Sequence, residues 1–336
     1  MKKYKIFIGI DVSKSTLDVF ILDGESTSVV YHQVFENNLK GIRQIIRFVK
    51  QHTKAVSTEW LFCLEHTGVY AMPLCCFLSE QGMNYALIAG MQIRKSIGIK
   101  RGKSDKADCK DIARYAYMHQ QEIQCYQLPE KQLLKLKLLL SYRERLMKCR
   151  KMIETSKESE LFLDKDLMGG IAKDSRSLVK TLQRKIKQVD NQIQELMKTD
   201  ETLHRTYQLA TSIPGVGMQI ACHMIVCTRC FRSFDNARQL ACYAGVAPFE
   251  YSSGTSIHGR NKVNHLANKK LKTLLNMGAL TAIKLDRELS LYYKRKVNEG
   301  KNPMLVLNAV RNKLAARIFA TVKRGTPYVP MMNYAA

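Results

Sequence analysis

Acidic side chains are scarce in this 336-residue chain, 29 against 54 lysines and arginines, so their placement in the first third is informative. Asp11 closes the apolar run Lys5-Ile-Phe-Ile-Gly-Ile10. Glu65 closes another, in Leu64-Glu-His-Thr-Gly-Val-Tyr70. Asp105 and Asp108 stand in Gly102-Lys-Ser-Asp-Lys-Ala-Asp108, and their i, i+3 spacing sets both on one face of a helix. Carboxylates that end strands lie at the mouth of an α/β sheet, where sites form. Several there repel one another unless a cation sits among them. Mg2+ is a hard ion that takes oxygen ligands, and two such ions about 4 Å apart clamp the attacking and leaving oxygens of phosphoryl transfer. Metal-dependent phosphoryl transfer is therefore the chemistry these four acids suggest. Each also has a plain structural reading, Asp11 as a turn residue and Asp105 as a helix cap. Asp18, Glu59 and Asp111 are rival acids; Asp111 extends the i+3 series and is read as solvated.

The elements that must carry these acids form an α/β region from residue 4 to about 125. The run ending at Asp11 and the segment Leu17 to Leu22, closed by Asp23-Gly24, read as two strands. Trp60–Leu64 and Tyr85–Ala89 read as two more. Tyr70 to Gln81 suits a helix stopped by Gly82, and Ser104 to His119 a second, with Ser104 or Asp105 as its N-cap. Pro129 to Asp200 is rich in Leu, Lys, Glu and Gln. Leu178, Leu182, Ile186, Val189, Ile193 and Leu196 recur at three- and four-residue steps, the seam of an amphipathic or coiled-coil helix. Gly169-Gly170 is expected to be the turn between two long helices, making residues 129–200 a helical connector. Residues 201–336 then form a third, mainly helical part. In it, Ser212-Ile-Pro-Gly-Val-Gly217 lies between helical stretches like the turn of a helix-hairpin-helix, whose backbone N–H groups at Gly215 and Gly217 can hold a phosphate.

The net charge is +25 and the pI about 9.7. Residues 256 to 324 hold 16 Lys and Arg against 3 Asp and Glu. So one-sided a surface seeks a polyanion, and nucleic acid is the leading class. No segment has the length and apolarity to span a bilayer. Ten cysteines without framework spacing suit a reducing cytosol, and no export signal is read before Asp11. Cys227-Thr-Arg-Cys230 is the one CxxC, and without a second paired motif the thiols are read as buried or idle.

Six short stretches in order carry a resemblance: Ile8-Gly-Ile-Asp-Val-Ser-Lys14, Glu65-His-Thr-Gly-Val-Tyr70, Lys103-Ser-Asp-Lys-Ala-Asp108 with Ile112-Ala113, Ile213-Pro-Gly-Val-Gly217, Ala244-Gly-Val-Ala-Pro248 and Ser252-Ser-Gly254. Over nearly its whole length the chain resembles the DEDD transposases of the "IS one-ten" insertion-sequence family. The resemblance implies a RuvC-like, RNase H type N-terminal domain (1–128) with Asp11, Glu65, Asp105 and Asp108 as a metal-binding tetrad. It implies a C-terminal transposase domain that supplies a catalytic serine, mapped onto Ser253 with Ser252 its neighbour. It also implies Mg2+, in two ions, as cofactor. Its implied partners are donor and target DNA and a structured guide RNA, bound by a homodimer or homotetramer in the prokaryotic cytoplasm, at the nucleoid. Arg260, Lys262, Lys269, Lys270 and Lys272 are the candidate nucleic-acid contacts. The rival readings are a RuvC-type structure-specific endonuclease acting by hydrolysis, and a non-catalytic nucleic-acid-binding protein.

Overall fold

The computed structural model describes residues 4–26, 30–98, 104–155, 165–254 and 257–330. They form two compact units, Met1–Leu128 and Pro129–Ala336. The first is built on a five-stranded sheet: β1 (Ile6–Val12), β2 (Thr16–Asp23), β3 (Val30–Glu36), β4 (Trp60–Glu65) and β5 (Tyr85–Ile88). The strand order is β3-β2-β1-β4-β5. β1, β2 and β3 pair antiparallel, whereas β1, β4 and β5 run parallel. This mixed sheet is consistent with an RNase H-like domain, as the resemblance implies. Four helices accompany it: α1 (Leu39–His52), α2 (Met72–Glu80), α3 (Gly90–Ile97) and α4 (Asp105–Met118). β3 and α1 occupy a stretch in which the sequence reading placed no element. The expected helix from Tyr70 is opened by a 3-10 turn at Gly68–Ala71, and Gly82 follows its end with φ +63°.

Strand alternation decides which side chains reach which face. Ile6, Ile8 and Ile10 of β1 pack with Trp60, Phe62 and Leu64 of β4 against buried residues of α1 and α2. Phe7 of β1 and Leu61 and Cys63 of β4 pack on the opposite face, against Cys109, Ile112, Ala113 and Ala116 of α4. By the same alternation Asp11 and Glu65 belong to the α4 face. Gly9 sets how near that helix comes. A Cβ there would overlap the Cys109 carbonyl and the backbone and side chain of Ala113.

The second unit has eight helices among its described residues: α5 (Lys131–Thr155), α6 (Lys165–Thr199), α7 (Glu201–Thr211), α8 (Met218–Thr228), α9 (Ala237–Tyr243), α10 (Lys269–Leu285), α11 (Arg287–Asn298) and α12 (Pro303–Arg324). Among the described residues its strands are β6 (Pro248–Ser253) and β7 (Ile257–Val263), an antiparallel ribbon in what the sequence reading took as helical. Leu133, Leu136, Leu140 and Leu146 of α5 share a core with Ile186, Val189, Ile193 and Leu196 of α6, and Arg143 pairs with Asp190 at 2.6 Å. The buried face of α6 includes Ala172 and Val179, whereas Leu178, expected on the seam, is 54% exposed.

Gly169-Gly170 is not the turn expected between these two helices but lies inside α6, four residues past its start. Two glycines cost a helix about 2 kcal/mol relative to alanine. The rest of this 35-residue helix offsets that by propagation and by burial of its apolar seam. No described helix is long and apolar enough to cross a membrane.

The fold makes one direct test of the α4–β1 contact. Gly9→Ala is expected to destabilise the chain by about 1–3 kcal/mol, because the added methyl meets backbone atoms that cannot swing aside. Thermal unfolding measures it, and an unchanged midpoint would show that α4 can ride outward at no cost.

Candidate active site

The site grows from the ends of two adjacent parallel strands. Asp11 is the penultimate residue of β1, and Glu65 the last of β4, with Ile10 and Leu64 in register just before them. α4 then brings its first turn over this edge. Ser104 caps the helix, accepting a hydrogen bond from the Ala107 N–H at 3.2 Å. That leaves Asp105 and Asp108 in the first turn, where the partial positive charge of the helix end favours carboxylates.

Asp11, Asp105 and Asp108 each place one carboxylate oxygen within 4.8 Å of the others. Glu65 is not part of that trio, but it lines the same cavity as Asp11 and Asp108, a space of about 670 Å³. The cavity opens between α3 and α4, with Ile93 and Ile97 on one wall and Ile112 on the other. Asn37 steadies the two loops beside it: its side-chain amide donates to the Ser13 carbonyl at 2.8 Å and to the Tyr70 carbonyl at 3.1 Å. Burial raises the Asp11 pKa, and the charges of Asp108, Asp105 and Glu65 raise it further, against the hydrogen bond from the Val12 N–H. A half-buried carboxylate pressed by three others is what a divalent cation relieves. The donor set is all oxygen, which fits a hard ion rather than a thiophilic one. The residues present therefore fit a divalent metal.

Of the rival acids, Glu59 and Asp18 lie apart from the cavity and Asp111 does not. Glu59 pairs with Lys5 at 2.8 Å, away from the cavity. Asp18 stands opposite Asp11 across β1 and β2, with an oxygen 3.4 Å from His32 Nε2. Asp111, expected to be solvated, is only 8% exposed and lines the cavity. The i+3 step from Asp108 carries it under the α3 side of the helix, a burial that depends on α3 packing there.

Two further residues escaped the sequence reading. Arg94 of α3 is exposed at the cavity wall and offers a cation to a phosphate. Gly90 opens α3 against Glu65, and a Cβ at residue 90 would overlap the Glu65 carboxylate. A glycine just beyond a strand end was the only available signal.

The candidate nucleic-acid residues lie in the second unit. Gly215 has φ +90°, and a Cβ there would stand 2.5 Å from the Gly278 carbonyl and 2.9 Å from the Ala282 nitrogen, so it is packed onto α10. Gly217 is exposed and is the N-cap of α8. Lys269 and Lys270 are exposed in the first turn of α10, Lys270 within 3.4 Å of Glu144, and Lys272 is half-buried. Lys262 is exposed on β7. Ser253 ends β6, paired with Ile257, and Arg260 lies on β7; their side chains lie outside the described set, as does Lys103 entirely.

Comparison with known proteins follows the same division. Residues 8–160 match a family model described as a DEDD transposase of IS110 type, and residues 207–294 one for transposases of the IS116/IS110/IS902 family. The "pilin gene-inverting protein" of Moraxella bovis is 28% identical over 330 residues, 96% of this chain and 98% of its own length. The "transposase for insertion sequence element IS1533" of Leptospira borgpetersenii is 24% identical over 70% of this chain and 73% of its own length. An uncharacterised 43.6 kDa protein of insertion element IS110 from Streptomyces coelicolor is 34% identical over 129 residues, 38% of this chain and 32% of its own.

Two outcomes follow from this geometry. A raised Asp11 pKa means that the folded metal-free protein binds more protons than the unfolded chain between the unfolded value, about 3.9, and the folded one. Stability of the metal-free protein therefore falls as pH rises through that window. Asp11→Asn should raise its unfolding midpoint at neutral pH while weakening divalent-ion binding at least tenfold; a lowered midpoint would contradict the crowding of charge. Gly90→Ala should push the Glu65 carboxylate aside and weaken divalent-ion binding about tenfold with the circular-dichroism spectrum unchanged. Calorimetric titration of the variant with Mn2+ measures this, and wild-type affinity would refute it.

Proposed function

Because this chain belongs to the IS110 family of transposases and is a DNA recombinase, we propose that it cuts and rejoins DNA through the carboxylate tetrad of its first unit and a serine nucleophile, Ser253, of its second. The observation that carries the reading is the convergence of Asp11, Asp105 and Asp108 on one point, in the same cavity edge as Glu65. The family points to a divalent metal, and Mg2+ in two ions is the cofactor proposed, held by the four acids. When bound, it supplies positive charge for the phosphoryl oxygens as they gain negative charge.

The chain's own residues do the rest. The Ser253 hydroxyl loses its proton and attacks phosphorus; the bond to the departing sugar oxygen breaks, and that oxygen keeps the electron pair and takes up a proton. The phosphoserine link retains the bond energy, so the sugar hydroxyl of a second strand can reverse the step and rejoin DNA with no external energy source. The full-length relative is named for inverting a gene, and inversion leaves as many phosphodiester bonds as it began with. A conserved link suits that better than hydrolysis does, which is why the RuvC-type endonuclease ranks second.

The basic residues Arg260, Lys262, Lys269, Lys270 and Lys272 would hold DNA phosphates or the guide RNA that the family resemblance implies. Lys269, Lys270 and Lys272 stand at the positive end of α10, where Glu144 reaches Lys270 at 3.4 Å, and a phosphate would relieve the charge that remains. The reading further divides the chain at 1–128, 129–200 and 201–336, with the α5–α6 helices as coiled-coil connector. It also takes the working form as a dimer or tetramer in the cytoplasm, since recombination must hold two duplexes.

The test is a reaction with Mg2+, the element-flank RNA and a circular donor plasmid, followed by denaturing gels for DNA joined covalently to protein. Wild type should give an adduct that disappears in Ser253→Ala and in Asp105→Asn. Nicked DNA with no adduct, cut equally well by Ser253→Ala, would instead make the protein a hydrolytic nuclease.

A further inference from the structure

The β6–β7 ribbon is exposed where it is expected to be buried. A two-stranded ribbon in water is marginal unless a third element covers a face. Yet Pro248, Phe249, Glu250, Tyr251 and Ser252 of β6 are all exposed, as are Gly259 and Lys262 of β7. Two of these are aromatic: Phe249 is 41% and Tyr251 68% exposed. Tyr251 stands opposite Gly259, and its ring edge and backbone lie so near that a Cβ on Gly259 would be 2.7 Å from Tyr251 Cδ1. The ring therefore rests on bare backbone with its outer side free. Phe249 stands opposite Lys262, and the register slips between Phe249 and Tyr251. Phe249, Tyr251 and Lys262 line a shallow hollow of about 360 Å³ together with Gly259, Val263, Asn264 and the acid Glu250.

We propose that Tyr251 and Phe249 form a stacking platform for unpaired bases of single-stranded DNA, with Lys262 holding the adjoining phosphate. A ring backed by glycine presents a rigid flat surface at little entropic cost, and every base has a face to lay on it. Charge selects the occupant. From Pro248 to Lys272 the chain carries Arg260, Lys262, Lys269, Lys270 and Lys272 against the one acid Glu250, so a polyanion is attracted. The same face of a second copy carries the same five cations and is repelled from this one. Commitment to DNA rather than RNA rests on the preceding reading, because Tyr251 is two residues before the serine proposed to attack DNA.

The probe is a short single-stranded DNA oligonucleotide carrying 2-aminopurine, whose fluorescence is quenched by stacking. It is bound to the full chain without divalent ions, so that no chemistry occurs. Wild type and Tyr251→Phe should quench; Tyr251→Ala and Tyr251→Leu should lose the quench and bind about tenfold more weakly. Tyr251→Leu keeps the apolar bulk, and matched circular-dichroism spectra and unfolding midpoints exclude loss of fold. Ser253→Ala should quench like wild type even where it makes no covalent adduct, which separates failure of the platform from failure of the serine assignment. The proposal is overturned by any of three results: wild-type quenching in Tyr251→Ala, quenching by the matching RNA but not the DNA, or a change in oligomeric state as the sole effect of Tyr251→Ala.

Discussion

The geometry of the acidic cluster depends on one close approach, that of α4 to β1 at Gly9. Every other position of β1 from Ile6 to Val12 carries a side chain. At Gly9 alone the strand is bare, and the Cys109–Ala113 turn of the helix settles onto it. The first turn of α4 lies one turn nearer its N-terminus, so seating the helix there sets Asp105 and Asp108 beside Asp11. A helix held off by even one methyl would carry its two acids away from the strand-end acid. The contact that packs the core on the α4 face thus also fixes the distance between the strand-end acid and the helix acids.

What results is a site the protein holds together against its own electrostatics. Burial and three neighbouring carboxylates all push the Asp11 proton affinity up. The opposing contributions are modest: the positive end of α4, the Val12 N–H, and the loops pinned by Asn37. A bound cation would relieve the conflict, and the same crowding that favours a metal disfavours the metal-free fold. Gly90 and Asp111 belong to that balance, one by leaving room for the Glu65 carboxylate, the other by bringing a further acid to the cavity wall.

The second unit is organised by a different compromise. Its helices surround a conventional apolar core from α7 through α12. At the turn between α10 and α11, Asp286 caps Leu289 and pairs with Arg317 at 2.9 Å, while Glu288 meets the same guanidinium at 2.6 Å. Acids in this basic region are thus used for internal ties, as are Glu299, which meets Lys296 at 2.6 Å, and Glu144, which reaches Lys270 at 3.4 Å. The β6–β7 ribbon stands outside that core, with most of its described residues exposed.

How much of this was legible beforehand follows from what each signal depends on. Asp11 and Glu65 could be placed at strand ends because apolar runs stop there. Asp105 and Asp108 could be paired because helical spacing is local, and Ser104 as their cap needs only the next three residues. The fate of Asp111 was not local: the same spacing that found it says nothing of whether α3 packs over it. Gly169-Gly170 looked like a turn because glycine's propensity is intrinsic, but a long helix with a buried seam outweighs that propensity. The ribbon at Ser253 was likewise hidden, since Pro248-Phe-Glu-Tyr-Ser-Ser253 and Ile257-His-Gly-Arg-Asn-Lys-Val263 show no sustained hydrophobic alternation to read. Which acids terminate which elements, and how basic the chain is, could be read from neighbours along the chain. That three of those acids meet depends instead on a helix seated over a glycine about a hundred residues away, which packing alone settles.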